Sequence, residues 1–276
     1  MSFIFKIVKF AKSICFSGTK PAAVKKPIEV FSGDYATWED AASQCSGYAA
    51  DVIFEKTKAA ALAVKQGQAL FERDSVLFHE EVYAWQMLSC LNAVAASDQG
   101  RLSVLDFGGS LGSSYFQHRK FLQMLPRLSW TVVEQPHYVD FGSKNLEDGF
   151  LKFSPSISAA IEEAQPNVVL FGSVLSYLPN PFEVLHHVIS SAIDVIIVDR
   201  TAFLERDENR LTIQKVSPHI YDASYPAWFF SLAKFKGFMS AGGFELISEW
   251  ISFDDYRLSG EKASAKGFFF SRKSMI

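Results

Sequence analysis

The chain has 276 residues, which suits one large domain with a smaller appendage. Hydrophobic residues make up 49% and charged residues 21%, a globular composition that excludes disordered and fibrous chains. With 27 basic against 30 acidic residues the net charge is −3, which argues against a general nucleic-acid binder. Cys15, Cys45 and Cys90 form no C-x-x-C pair, so we expect neither a disulfide framework nor a metal site and favour a reducing cytoplasm.

Residues 1–27 differ from the rest because they contain six lysines and no acidic residue. At about 100° per residue, the apolar side chains of residues 1–16 share one face, which predicts a basic amphipathic helix. Such a helix either lies on the inner face of a membrane as a peripheral contact or docks on its own domain, and both interpretations stay open. Pro21 and Pro27 mark a linker, and no apolar run is long enough to span a bilayer.

Residues 28–100 have a mainly helical pattern. Thr37 is a candidate helix N-cap, because Asp40 stands three residues later at the capping-box position. We therefore predict a helical cap in this region rather than a second catalytic unit.

An alternation of apolar runs and helical segments begins at residue 101 and continues to residue 276, with an insertion at about 201–241. This alternation predicts an α/β domain whose strands are parallel and joined by right-handed crossovers. Only a turn region separates the last two runs, so we predict that they pair antiparallel. The predicted parallel strands are residues 102–107, 130–134, 150–153, 167–171 and 193–199, and the final pair is 244–250 and 266–272.

A glycine-rich turn follows the first of these strands. It contains Asp106, Gly108, Gly109 and Gly112, and glycine lets the backbone approach a ligand closely because no Cβ intervenes. Glu134 ends the next strand, where a carboxylate accepts hydrogen bonds from the ribose hydroxyls of an adenosine group. Together the turn and the acid predict a nucleotide-like cofactor at the carboxyl ends of the strands.

The acid that precedes the glycines distinguishes two cofactor classes. A dinucleotide-binding turn has the pattern G-x-G-x-x-G and faces a pyrophosphate, which Asp106 would repel. S-adenosylmethionine instead carries a cationic amino group and a sulfonium, which an acidic side chain complements. We therefore predict S-adenosylmethionine as the cofactor.

Two sets of motifs in the chain are distinctive. The first set is Val104-Leu105-Asp106-Phe107-Gly108-Gly109-Ser110-Leu111-Gly112, Glu134-Gln135-Pro136-His137 and Leu175-Ser176-Tyr177-Leu178-Pro179. The second set is Gly33-Asp34-Tyr35-Ala36-Thr37-Trp38, Gly47-Tyr48 and Ser224-Tyr225-Pro226. The first set resembles the successive motifs of class I S-adenosylmethionine-dependent methyltransferases. The second set more closely resembles a methyltransferase family associated with bacterial surface-polysaccharide gene clusters, over most of the chain from about residue 31.

This resemblance implies a Rossmann-like fold with a seven-stranded, mostly parallel sheet and a C-terminal antiparallel hairpin. It also implies that the glycine turn surrounds the methionine part of the cofactor and that Glu134 holds the ribose. The adenine contact follows the third strand, where the chain offers no acid, and the residues after the fourth strand lie near the sulfonium. The residues so implied are Asp106, Phe107, Gly108, Gly109, Gly112, Glu134, Gln135, Phe153, Ser154, Ser173 and Leu175.

The first hypothesis for the activity is methyl transfer to a hydroxyl of a sugar or related small polar acceptor in surface-polysaccharide biosynthesis. A hydroxyl nucleophile holds its proton strongly and needs a general base. His219 is the best base by its ordinary pKa, and Tyr177, Asp199 and Arg200 are further catalytic candidates. Asp199 and Arg200 could instead form an internal ion pair that orients the insertion.

Tyr221 and Tyr225 belong to an aromatic band that is a candidate to stack on a sugar ring or to close over the cofactor. One competing function is a nicotinamide-dependent oxidoreductase or sugar-nucleotide epimerase. Its common short-chain form needs a Tyr-x-x-x-Lys pair, and none of the nine tyrosines has a lysine four residues later. Another is a non-catalytic scaffold, which an analogy of fold alone does not exclude. If the methyltransferase interpretation holds, Asp106→Ala is expected to abolish S-adenosylmethionine binding without unfolding the chain.

Overall fold

The computed structural model describes residues 30–45, 50–216, 223–252, 254, 256, 258 and 260–273. The amphipathic segment and linker predicted for residues 1–27 lie outside the described residues, and so do the candidates His219 and Tyr221. In the described part of the chain, no helix has the length and apolar character needed to cross a membrane.

Helices and strands alternate through most of the described chain. The helices are α1 (Trp38–Ser43), α2 (Ala50–Lys65), α3 (Trp85–Ser97), α4 (Ser113–Leu122), α5 (Pro136–Asn145), α6 (Ile157–Ala164), α7 (Pro181–Ile189) and α8 (Leu232–Ala241). The strands are β1 (Phe31–Tyr35), β2 (Phe71–Arg73), β3 (Val76–Phe78), β4 (Arg101–Phe107), β5 (Arg127–Val133), β6 (Leu151–Ser154), β7 (Val168–Gly172), β8 (Val195–Leu204), β9 (Arg210–Lys215), β10 (Ser224–Ser231), β11 (Phe244–Ile251) and β12 (Ala263–Arg272).

The central sheet has the strand order β6-β5-β4-β7-β8, and all these neighbours pair in parallel. Strand β12 pairs antiparallel with β8, and β11 pairs antiparallel with β12. The order reverses between β4 and β7, which places a ligand-binding crevice outside the carboxyl ends of these strands. The structure confirms the predicted mostly parallel α/β sheet with a C-terminal antiparallel hairpin, but among the described residues the sheet has ten strands instead of the expected seven, because β1, β9 and β10 extend it.

The parallel strands form because helices cover both faces of the sheet, so each strand is a nearly continuous apolar run. Alternate side chains of one strand point to opposite faces. Val168 and Leu170 pack in the core on the side of α3 and α4, whereas Val169 and Phe171 pack on the side of α7 and α8. Both cores are dense in aromatic side chains, which accounts for the high phenylalanine content.

The insertion predicted at about 201–241 extends the sheet. Strand β8 runs on to Leu204, β10 pairs in parallel with this extension, and β9 pairs antiparallel with β10. Strand β1 from the predicted helical cap then pairs with β9, so the cap and the insertion share one sheet. The aromatic band around Tyr225 is therefore part of a strand.

The region predicted as a helical cap contains α1, α2 and α3 but also β1 and the two-stranded hairpin β2–β3. Thr37 caps α1 as predicted, since its hydroxyl accepts a hydrogen bond from the Asp40 N–H at 3.1 Å. The strands were not predicted, because β2 and β3 have three residues each and β1 contains Gly33 and Asp34. Their stability comes from partners that are distant in sequence, such as β9 for β1.

Candidate active site

A cavity of about 1040 Å³ lies at the carboxyl ends of β4 to β8. Its volume suits a cofactor together with a small second ligand. The hairpin β2–β3 and the segment around residues 254–256 complete its wall. The sequence-predicted residues that line it are Phe107, Gly108, Gly109, Glu134, Gln135, Ser173, Tyr177, Arg200 and Tyr225.

The glycine turn needs glycine for two different physical reasons. At Gly109 a Cβ atom would lie 2.4 Å from a carboxylate oxygen of Asp106, so no side chain fits there. Gly112 is the N-cap of α4 and has a φ of 90°, a left-handed conformation that side chains disfavour. Both positions therefore disfavour a side chain, and at Gly109 this leaves the backbone bare in the cavity wall.

Glu134 directly follows β5 and faces the cavity beside the glycine turn. Its carboxylate accepts hydrogen bonds from its neighbour's N–H, at 2.7 Å from Gln135, and from the backbone of Ser110. Burial raises the pKa of Glu134, and the two backbone hydrogen bonds oppose that rise. Because an ionised carboxylate has about four acceptor positions, Glu134 can hold the turn and still accept hydrogen bonds from two hydroxyls.

Asp106 does not line the cavity. Its side chain is buried beneath Gly109, on the face of β4 opposite Phe107, and accepts a hydrogen bond from Trp130 Nε1 at 3.1 Å. Burial raises the pKa of Asp106 to about 7, the hydrogen bond from Trp130 opposes this rise, and the charge of Glu134 adds to it. The structure therefore gives Asp106 a supporting position under the turn instead of the predicted position against the methionine part of the cofactor.

The pKa of Asp106 predicts a pH dependence of stability. The folded protein holds the proton up to about pH 7 and the unfolded chain releases it near 3.8, so the free energy of unfolding falls as the pH rises between these values. We expect Asp106→Asn, which keeps an acceptor for Trp130, to lessen this fall by about 1 kcal/mol per pH unit between about pH 5 and 6.5. Urea unfolding of both proteins across this range measures the difference, and parallel pH profiles would contradict the assignment.

Four other residues predicted to bind the cofactor also lie outside the cavity wall. A Cβ atom at Gly112 would lie 3.2 Å from the Leu151 side chain, Leu175 is buried in the core, and the Phe153 ring would lie 2.6 Å from a Cβ atom at Gly142. Ser154 is buried and donates a hydrogen bond to the Ser156 carbonyl. The wall beyond β6 is formed instead by residues further along the chain, namely Pro155, Ser156, Ile157 and Ser158.

The sequence analysis kept two roles open for Asp199 and Arg200, catalytic groups or an internal ion pair. In the structure the two side chains contact different partners. Asp199 is buried outside the cavity lining and accepts hydrogen bonds from Trp250 Nε1 at 2.9 Å and Ser252 Oγ at 2.7 Å. Arg200 lines the cavity and forms ion pairs with Asp254 at 2.7 Å and Asp74 at 3.2 Å. Asp199 thus ties β8 to β11 and to Ser252 after it, and Arg200 ties β8 to the hairpin and to Asp254.

Tyr177 and Tyr225 lie together in the cavity wall, with ring centroids 5.4 Å apart in an edge-to-face arrangement. The Tyr177 hydroxyl donates a hydrogen bond to Gln214 Oε1 at 2.9 Å. The structure therefore brings Tyr177 and Tyr225 together in the wall of the cavity that Ser173 and Arg200 also line.

The sequence analysis missed the residues that the hairpin and the segment after β11 bring to the cavity. Glu72 on β2 is buried, with a pKa that burial raises to about 7, and Tyr256 donates a hydrogen bond to the Arg200 carbonyl at 2.9 Å. The charged run Glu72-Arg73-Asp74 was the available signal, but nothing local indicated that it returns to the glycine turn. Among the described residues, no group of three or more His, Cys, Asp or Glu side chains could hold a metal ion.

No protein-family model and no curated protein matches this sequence. Solved structures that resemble the chain include the N-terminal domain of EvdMO1 with SAH and D-fucose, at 14% identity and a TM-score of 0.46, covering 81% of this chain and 97% of that one. Magnesium protoporphyrin IX methyltransferase from Synechocystis PCC 6803 with bound SAM is 14% identical at a TM-score of 0.45, and the match covers 68% of this chain and 79% of that one. CalS10, an amino pentose methyltransferase from Micromonospora echinaspora with bound SAM, is 10% identical at a TM-score of 0.43, and the match covers 70% of this chain and 92% of that one. The fold assignment made above stands on the strand pairings of this chain.

Proposed function

We propose that the protein is an S-adenosylmethionine-dependent methyltransferase. The observation that carries this proposal is the position of Glu134 beside the bare glycine turn, on one wall of a large cavity at the strand reversal. The residues of the wall fit the cofactor. The Glu134 carboxylate has acceptor positions left for the ribose hydroxyls, and the glycine turn has no side chains that would keep the cofactor from its backbone. The cofactor supplies a methyl group that its sulfonium already activates.

In this proposal Glu134 binds the ribose. Gly108 and Gly109 have no side chains and allow the cofactor to lie close to the backbone, and Ser173 lies near the sulfonium. The protein's main task is then alignment, because the transferred group is already reactive. His219 stays the predicted general base for a hydroxyl acceptor. A cytoplasmic location with a peripheral membrane contact through residues 1–16 likewise stays a prediction.

We further propose that the acceptor is a sugar or another small polar molecule with a hydroxyl group. The supporting observation is that aromatic rings and charged groups line the same cavity, where Tyr177 and Tyr225 pack together and Arg200 forms an ion pair with Asp254. Aromatic faces stack on sugar rings, and a guanidinium binds phosphate or carboxylate groups. A role in surface-polysaccharide biosynthesis rests on the motif resemblance of the sequence.

The first test is calorimetric titration of the full-length protein with S-adenosylhomocysteine, NAD and NADP. We expect saturable one-to-one binding of S-adenosylhomocysteine and none of the dinucleotides. Binding of a dinucleotide alone would support the oxidoreductase or epimerase instead, and binding of none of the three would favour a scaffold. Transfer of a labelled methyl group to free or nucleotide-linked sugars, followed by NMR of the product, then tests the acceptor class, and absence of any labelled ether would contradict it.

A further inference from the structure

Glu72 is an acidic side chain that the hairpin β2–β3 carries to the cavity beside the first turn of α4. Only 2% of the residue's surface is exposed, yet it belongs to the cavity wall. The Ser113 hydroxyl donates a hydrogen bond to one of its carboxylate oxygens, and the Ser75 N–H donates to the other at 3.1 Å. Because Ser113 is the first residue of α4, Glu72 lies directly after the glycine turn in space.

Glu72 and Glu134 reach the cavity wall beside different strands, since Glu134 follows β5 and Glu72 bonds to Ser113 at the start of the helix after β4. Along the edge of the sheet the strands follow in the order β5, β4, β7, with about 5 Å between neighbours. A ligand whose ribose binds Glu134 after β5, and which extends past Gly109 after β4, therefore reaches the first turn of α4, where Glu72 lies. If the proposed function holds, that far end of the ligand is the amino-acid end, with one ammonium and one carboxylate group.

The charges around Glu72 suit a zwitterionic group. Burial is the largest cause of its raised pKa, the Asp74 charge raises it further, and the Ser113 and Ser75 hydrogen bonds and the Arg200 charge lower it. A buried carboxylate is stabilised most by a cation in direct contact. On the same hairpin, Arg73 also lines the cavity, with its guanidinium 5.0 Å from the centre of the Phe78 ring, and offers a positive charge to the carboxylate of such a ligand.

We propose that Glu72 binds the α-ammonium group at the amino-acid end of S-adenosylmethionine. Asp106, the acid that the sequence motif offers for this role, lies beneath Gly109 and is bound by Trp130. Glu72 comes from a different part of the chain but presents its carboxylate to the cavity on the far side of the same turn. The cofactor is thus held by two carboxylates, Glu134 after β5 at its ribose and Glu72 on β2 at its amino-acid end.

The test compares S-adenosylhomocysteine with 5′-methylthioadenosine, a thioether that keeps the adenosine group and lacks the amino-acid end. Titration calorimetry in buffers of different ionisation enthalpy, between about pH 6 and 7.5, measures the protons released on binding. The α-ammonium group of the ligand keeps its charge in this range, and its approach lowers the pKa of Glu72. We expect S-adenosylhomocysteine to release more protons than 5′-methylthioadenosine, whose contact with Glu134 is the same.

The matching variant is Glu72→Gln, which removes the charge and keeps the size of the side chain. We expect it to weaken S-adenosylhomocysteine about 10- to 100-fold, the usual effect of losing a charged hydrogen bond, and to leave 5′-methylthioadenosine within about threefold. The extra proton release should disappear as well. Glu81→Gln is the control, because Glu81 is an exposed carboxylate paired with Lys120 outside the cavity wall.

Equal weakening of both ligands, or unchanged S-adenosylhomocysteine binding, would overturn the assignment of Glu72. Equal proton release on binding of the two ligands to the unaltered protein would also overturn the assignment. This comparison needs no variant, so it tests the role of Glu72 even if Glu72→Gln does not fold. Failure of the unaltered protein to bind either ligand would instead contradict the proposed function, so the two failures are distinguishable.

Discussion

Replacing Glu134 by alanine is expected to weaken S-adenosylhomocysteine binding about 100-fold or more. Two ribose hydroxyls that donate to one ionised acceptor make charged hydrogen bonds, each worth about 1.5–3 kcal/mol. Glu134→Ala removes both, whereas Glu134→Gln keeps one acceptor oxygen and should cost about 10-fold. Isothermal titration calorimetry measures all three affinities.

The loss of ligand affinity must be distinguished from a change in the local fold, because Glu134 also accepts hydrogen bonds from Gln135 and Ser110. Glu163→Ala removes the same charge from an exposed position on α6 outside the cavity lining and should bind as the unaltered protein does. Thermal unfolding shows whether Glu134→Ala keeps its fold. Affinity of a folded Glu134→Ala within about threefold of the unaltered protein would contradict the ribose assignment.

Replacing Arg200 by glutamine is expected to lower the free energy of unfolding by about 2–4 kcal/mol. The guanidinium is largely buried between Asp254 and Asp74 and joins β8 to both the hairpin and the segment after β11. Burial by itself lowers the pKa of Arg200, but these two carboxylates raise it above its ordinary range, so the group is charged at every accessible pH. Its removal leaves Asp254, whose side chain is 22% exposed, without its cation.

The matched control is Lys144→Gln, which breaks an ion pair with Asp140 whose side chains are 69% and 66% exposed. Exposed pairs contribute about 0–1 kcal/mol, so this variant should unfold almost as the unaltered protein does. Differential scanning calorimetry should show the midpoint of Arg200→Gln about 5–10 °C lower. Equal stabilities of the two variants would show that the Arg200 ion pairs do not hold these elements together.

The central strands could be predicted from the sequence because each is a short apolar run followed by a turn residue or an acid. The five predicted parallel strands overlap β4, β5, β6, β7 and β8, and the predicted final pair is β11 and β12. The motif resemblance implied the Rossmann-like fold and its final hairpin, whereas the order of the strands and its reversal between β4 and β7 came from the structure. The hairpin β2–β3 could not be predicted in this way, because strands of three residues carry too little periodicity.

The position of Asp106 shows that a motif match does not determine which of its side chains face the cavity. Successive residues of a strand point to opposite faces, so Phe107 and Asp106 cannot both face the cavity. Phe107 lines the cavity, and Asp106 points to the other face of β4, where the Trp130 side chain from β5 meets it. The same alternation in β8 directs Asp199 toward Trp250 and Ser252.

By itself the sequence determined the elements whose signals are local. They are the buried parallel strands, the glycine turn after β4, the acid that ends β5 and the N-cap Thr37. Only the tertiary structure decided which charged side chains reach the cavity, because Glu72, Asp74, Arg200 and Asp254 come from segments far apart in the chain. The physical reason is that burial and long-range ion pairs, which no local pattern encodes, determine where a charged side chain is stable.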